Sequence, residues 1–173
     1  LEFRRVLFRS AKYGLMTMNE FFDVIGQKIR FSQVFKEIPF TELSEKILEP
    51  GFRNQYMNVY QKGALIAMCL DLLLLRKSLG TYGLNNLMMD LAKNYGPDKP
   101  FVESELIEKI VWLSYWDAGD FLRNYVEEGN ELPFLEFTKG AGITYLEKGT
   151  INDISPLCGL ENGAIGINDN GQL

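Results

Sequence analysis

Three neighbouring residues carry the most chemistry per position in this chain. Tyr60, Lys62 and Gly63 stand in the run Asn58-Val59-Tyr60-Gln61-Lys62-Gly63-Ala64-Leu65, where a long apolar segment begins. A phenol can donate a hydrogen bond and an ammonium can bind a substrate carboxylate. At about 100° per residue, Tyr60, Ala64, Ala67 and Asp71 fall on one helical stripe with Gly63 beside it, and leucines, Ile66, Met68 and Cys69 cover the other sides. Small residues there let a ligand or another element approach, with the phenol facing a cleft. The plainer reading of the same spacing is a helix entering a core: the tyrosine hydroxyl meets a backbone carbonyl, Lys62 is solvated or ion-paired, and Gly63 is a packing contact. Spacing alone favours the plainer reading. Asp71 lies inside the apolar run, so if buried it needs a partner, and a structural hydrogen bond to a neighbouring helix or loop is expected.

The rest of the composition narrows the classes. The chain has 173 residues, 46% hydrophobic and 13% aromatic, with no histidine and a net charge of -5, which is globular and long enough for about one domain. Glu2 to Ser10 read EFRRVLFRS, which looks like the translation of a sequencing adapter, so residues 1-10 are set aside. Without Glu2, Arg4, Arg5 and Arg9 the net charge becomes -7, and nothing favours a nucleic-acid partner. The apolar run Ala64 to Leu75 is 12 residues with Asp71 inside it, short of the ~20 that cross a bilayer, so no membrane span is expected. Cys69 and Cys158 form neither a C-x-x-C pair nor a disulfide framework.

The elements that must position these residues read as mainly α. Thr17-Met18-Asn19-Glu20 is a capping box opening a helix from Met18 to about Phe31, with Phe21, Ile25 and Ile29 at four-residue spacing. A short helix is expected over Glu42 to Leu48, then a long one from about Asn54 to Ser78 ending at Gly80. Asn85 is placed to cap the next helix, with Leu84 and Met89 as a hydrophobic staple and Gly96-Pro97 closing it. Another helix runs from Glu103 to Leu113. Asp117 is placed to cap one through Phe121, Leu122, Tyr125 and Val126, with Gly129 at its exit and Glu127 and Glu128 as a solvated end. Phe134 to Lys139 is the last. Trp112 and Trp116 are expected to pack between helices.

After Gly142 the composition shifts. Ile143 to Leu146 and Gly163 to Ile167 read as strands, and Asn168-Asp169-Asn170-Gly171 as a turn. This suggests a helical part over residues 11-142 and the start of a second, truncated unit over 143-173. Gly-Leu-Glu-Asn-Gly within Gly159 to Gly166 is not a phosphate loop, because no Gly-Lys-Ser/Thr follows.

Four segments in order carry a resemblance. Tyr60-Gln61-Lys62-Gly63-Ala64-Leu65, within Asn58 to Lys77, looks like the Y-x-K-G-A-hydrophobic signature that follows the zinc site in gluzincin aminopeptidases. With Leu84-Asn85-Asn86-Leu87-Met88, Asp120-Phe121-Leu122-Arg123-Asn124-Tyr125-Val126 and Glu131-Leu132-Pro133, the chain from about Lys12 to Gly142 resembles the glycyl-aminopeptidase-like metallopeptidase family. The resemblance implies the helical C-terminal subdomain of a thermolysin-like catalytic domain, followed by a PDZ-like domain that the strands after Ile143 would begin. It implies a zinc held by two histidines of an H-E-x-x-H helix and a downstream glutamate. With no histidine here, those ligands and the general base would lie upstream of Ala11, and this fragment alone would be inactive.

On the family's pattern, Tyr60 matches the tyrosine that donates its phenolic hydrogen to the oxyanion formed at the peptide carbonyl. Tyr56, one turn earlier, is the competing candidate; only Tyr60 stands two residues before Lys-Gly. The implied partners are a peptide substrate and a peptide ligand of the PDZ-like module, in a periplasmic or secreted setting on family grounds. The rival reading is a non-catalytic helical scaffold or binding protein carrying a PDZ-like module.

Overall fold

The computed structural model describes residues 14–96, 98–139, 143–146 and 164–167. Residues 2–10, Gly142, Cys158, the Gly159–Gly163 segment and the turn at 168–171 lie outside them, and with them the boundary expected near residue 142. The described residues are mainly helical. Among the described residues seven α-helices run in chain order: α1 Met18–Ser32, α2 Phe40–Lys46, α3 Asn58–Lys77, α4 Leu84–Asn94, α5 Leu106–Leu113, α6 Trp116–Leu122 and α7 Phe134–Lys139. Strands β1 (Ile143–Leu146) and β2 (Ala164–Ile167) pair antiparallel, with Ile143 opposite Ile167 and Leu146 opposite Ala164.

The chain divides into two compact units. One takes the described residues before Lys36, Arg53–Leu65 and those from Pro133 onward; the other takes Glu37–Phe52 and Ile66–Leu132. Helix α3 contributes its first eight residues to one and the remainder to the other.

In the first unit, α1 starts as its sequence dictates. The Glu20 amide donates to Thr17 Oγ1 at 3.2 Å, and the Thr17 amide donates to Glu20 Oε2 at 2.7 Å, so two amides at the helix start are satisfied reciprocally. The Thr17 amide holds the Glu20 carboxyl below its usual range. Phe21, Phe22, Ile25 and Ile29 are buried along one face. Strand β2 lies beside α1 and β1 beside α7.

In the second unit the helix starts differ from the sequence expectation. Helix α4 begins at Leu84, so Asn85 is inside its first turn and caps nothing. The Leu84 amide instead donates to Asp71 Oδ1 at 2.6 Å, and the Gly83 amide to Asn86 Oδ1 at 3.1 Å. A carboxylate thirteen residues earlier therefore does the work of a local cap. Gly83 is required there, because a Cβ would sit 2.6 Å from that same Asp71 oxygen. Met89 is 56% exposed.

Helix α6 begins at Trp116, and Asp117 lies in its first turn. Its carboxylate pairs with Lys77 Nζ at 2.6 Å, and no side chain caps the helix start at Tyr115. The chain then widens into a π-helical turn over Arg123–Glu127, and Arg123 reaches Glu108 at 2.7 Å and Asp120 at 3.5 Å. Gly119 permits this close packing, since a Cβ would collide with Val111 Cγ2. Gly129 leaves the turn at φ +71°, where a Cβ would lie 2.6 Å from the Pro39 nitrogen, so only glycine suits the expected exit. Glu127 and Glu128 are exposed, as a solvated helix end.

Trp112 and Trp116 are 73% and 67% exposed, against the expected packing between helices. Ser114 breaks the helix between them, and Lys109 Nζ covers the Trp112 ring at 4.0 Å. Among the described residues α3 is long and apolar enough to cross a membrane by length and composition, and 56% of its apolar window is buried inside the structure.

Candidate functional site

The sequence places Tyr60, Lys62 and Gly63 at the head of a helix, and α3 does start there, at Asn58. A 3-10 turn over Arg53–Gln55 leads in, and the Tyr60 amide donates back to the Met57 carbonyl at 3.1 Å. The expected start near Asn54 falls short of a continuous helix because this tighter turn intervenes.

Helical geometry sorts the side chains. Asn58 and Lys62 are four apart, one above the other, and Gln55 precedes Asn58 by three. They are all buried, at 1%, 4% and 5% exposure for Asn58, Lys62 and Gln55. Tyr60 lies two positions from each, about 200° round the helix, and is 44% exposed. The spacing Tyr-x-Lys thus turns the phenol toward solvent and the ammonium inward.

One expectation changes as a result. Lys62 is buried rather than solvated and is engaged by a partner, as a buried charge must be. The Tyr60 hydroxyl lies 3.1 Å from the Tyr56 hydroxyl, with the two rings edge to face, their centroids 5.6 Å apart at 69°. Asp71 behaves as expected, in a structural hydrogen bond.

Lys28 was not singled out by the sequence, and nothing in its neighbourhood signals it. From α1 it donates to the Tyr60 carbonyl at 3.2 Å and to Gln61 Oε1 at 3.5 Å, tying the first turn of α3 to α1. Partial burial pushes its ammonium below the usual lysine range. The Tyr56–Tyr60 pairing had a signal in the four-residue spacing. The buried polar line Gln55, Asn58 and Lys62 had one too, in spacings of three and four. Gln55 Oε1 and Asn58 Oδ1 are buried without a hydrogen-bond partner among the described residues.

A zinc ion does not fit the residues present. The chain has no histidine, and among the described residues no group of three or more His, Cys, Asp or Glu is placed to hold a metal ion. Cys69 is fully buried in α3, and burial pushes its thiol well above the usual range. What the arrangement offers is a surface phenol on a rigid turn, hydrogen-bonded to a second phenol. Such a group can donate to a negatively charged oxygen. Compared with models of protein families, with curated proteins and with solved structures, the chain matches none.

Proposed function

We propose that this chain is the C-terminal helical part of an aminopeptidase-like metallopeptidase, in which Tyr60 stabilises the oxyanion formed when the peptide carbonyl is attacked. The observation that carries this reading is the half-exposed Tyr60 hydroxyl on the first turn of α3, in a Tyr-x-Lys-Gly-Ala segment that resembles the family signature. Attack moves negative charge onto the carbonyl oxygen, and a phenol donor there binds the charged state more strongly than the neutral carbonyl. Only such differential binding accelerates the step. Gly63 and Ala64 keep the helix surface low next to the phenol, and Lys28 fixes the carbonyl of the same residue. The metal and its ligands are no part of the chemistry assigned to these residues.

The test is to read the source gene upstream of Ala11. An H-E-x-x-H helix followed by a further glutamate in the same frame supports the peptidase. An open frame that continues without those ligands leaves a helical scaffold or binding protein, and Tyr60 becomes a surface tyrosine.

A further inference from the structure

Where α3, α5 and α6 meet, one end of the second unit carries apolar side chains that the fold does not bury. Lys77, the last residue of α3, pairs with Asp117 in the first turn of α6 at 2.6 Å, and α5 reaches the same place through Ser114 and Tyr115. Trp112 and Trp116 stand there at 73% and 67% exposure, and Leu79, two residues beyond α3, is 92% exposed. Leu79 also has φ +53°, a left-handed backbone that a leucine adopts only at a cost. The loop is bonded into that shape: the Gly80 amide donates to the Leu75 carbonyl at 2.7 Å, the Tyr82 amide to Ser78 Oγ at 2.8 Å, and Thr81 Oγ1 to the Ser78 carbonyl at 2.8 Å. An apolar tip is thus held out in water on strained backbone, an arrangement that serves contact with something outside the unit better than it serves packing.

We propose that this end docks on the surface of an anionic lipid bilayer, without spanning it, with Leu79 and the two indoles entering the interface. The proposal is independent of the role given to Tyr60. An indole has an apolar body and an N–H donor, which suits the boundary between headgroups and acyl chains. Charge selects the same occupant. Arg76, Lys77 and Lys109 stand at this end against Asp117, and Lys109 Nζ lies 4.0 Å from the centre of the Trp112 ring. The next acids along α5 and α6, Glu108 and Asp120, are both held by Arg123. This end is therefore positive on a chain whose net charge is -5, and repulsion from more distant acids is screened beyond about 8 Å at physiological ionic strength. A second copy docked on the same face would instead bring these cations against each other.

The two tryptophans of the chain both lie here, so their fluorescence reports on this end alone. The full chain is titrated with vesicles of equimolar phosphatidylcholine and phosphatidylglycerol, with and without brominated acyl chains. Emission is expected to shift to the blue and to be quenched by the brominated lipid, and to change less with phosphatidylcholine alone. Leu79→Asn removes the apolar tip but keeps a residue at ease with left-handed backbone. It is expected to weaken partition about tenfold, with stability in urea unchanged or raised. Arg76→Gln is expected to weaken it about fivefold. Unchanged emission with the mixed vesicles, or wild-type partition of Leu79→Asn, overturns the proposal. So does a blue shift that grows with protein concentration in the absence of lipid, which assigns the face to a second copy. Tryptophans already shielded from acrylamide before lipid is added overturn it as well, because the face is then covered by the chain itself.

Discussion

The two halves of α3 bury opposite kinds of side chain. From Asn58 to Leu65 the buried face includes Asn58 and Lys62 beside Ala64 and Leu65, and the exposed face carries Val59 and Tyr60. From Ile66 to Lys77 the buried positions are Ile66, Met68, Cys69, Leu70, Leu73 and Leu74, and the one acidic side chain, Asp71, is spent on an amide of α4. The second half is built for cohesion, with apolar area removed from water all round the helix. The first half instead buries two polar side chains, Asn58 and Lys62, among its apolar ones.

Substitutions sharpen or break this contrast. The largest effect is on activity: on the proposed reading, Tyr60→Phe in the full-length enzyme is expected to lower kcat by about 10² to 10³, with stability and zinc content unchanged, as assayed by steady-state hydrolysis and metal analysis. Leu74→Ala, at a fully buried position of the second half, is expected to cost about 2–5 kcal/mol of stability in urea unfolding, with the slope of the transition unchanged. A loss below about 1 kcal/mol would mean that the second half is not the cohesive one.

Smaller is Asp71→Ala, which strips the Leu84 amide of its acceptor and is expected to cost about 1 kcal/mol in the same assay. Asp71→Asn keeps an oxygen in place and should lose less. The smallest effect concerns Asp117. Its hydrogen bond to Lys77 holds the carboxyl below its ordinary range, so the stability it adds is present above that range and is lost as pH falls through the folded value. The pair is more than a third exposed, which screens it. Asp117→Asn is thus expected to lower stability slightly near neutrality and to change nothing below the folded value, which flattens the acid side of a stability–pH profile.

Much of the fold was legible wherever one local signal sufficed. The capping box at Thr17, the four-residue spacing of Phe21, Ile25 and Ile29, helix α7 over Phe134–Lys139 and strand β1 over Ile143–Leu146 all fall where the sequence puts them. The start of α4 was not legible, because its cap comes from Asp71 in α3 and no local residue announces it. The same holds for Asp117, whose carboxylate answers Lys77 forty residues away instead of a nearby amide.

The candidate site was half legible. The exposed position of Tyr60 at the head of α3 follows from its segment, and Lys62, expected solvated or ion-paired, is buried. Two residues of separation on a helix send side chains to opposite faces, and the burial of Asn58 decides which face Lys62 joins. Lys28 reaches the site from α1, through a fold that spacing within one segment cannot encode.

The most direct test of the central claim compares ground-state and transition-state binding in the full-length enzyme that the proposed reading calls for. Affinities of wild type and Tyr60→Phe are measured for a phosphonate peptide, which mimics the charged tetrahedral oxygen, and for an uncleaved substrate analogue with a neutral carbonyl. A phenol that acts on the oxyanion predicts phosphonate binding weakened about 10²-fold or more, with the neutral analogue bound as before. Equal affinity of both proteins for the phosphonate, or an equal loss for both ligands, would contradict it.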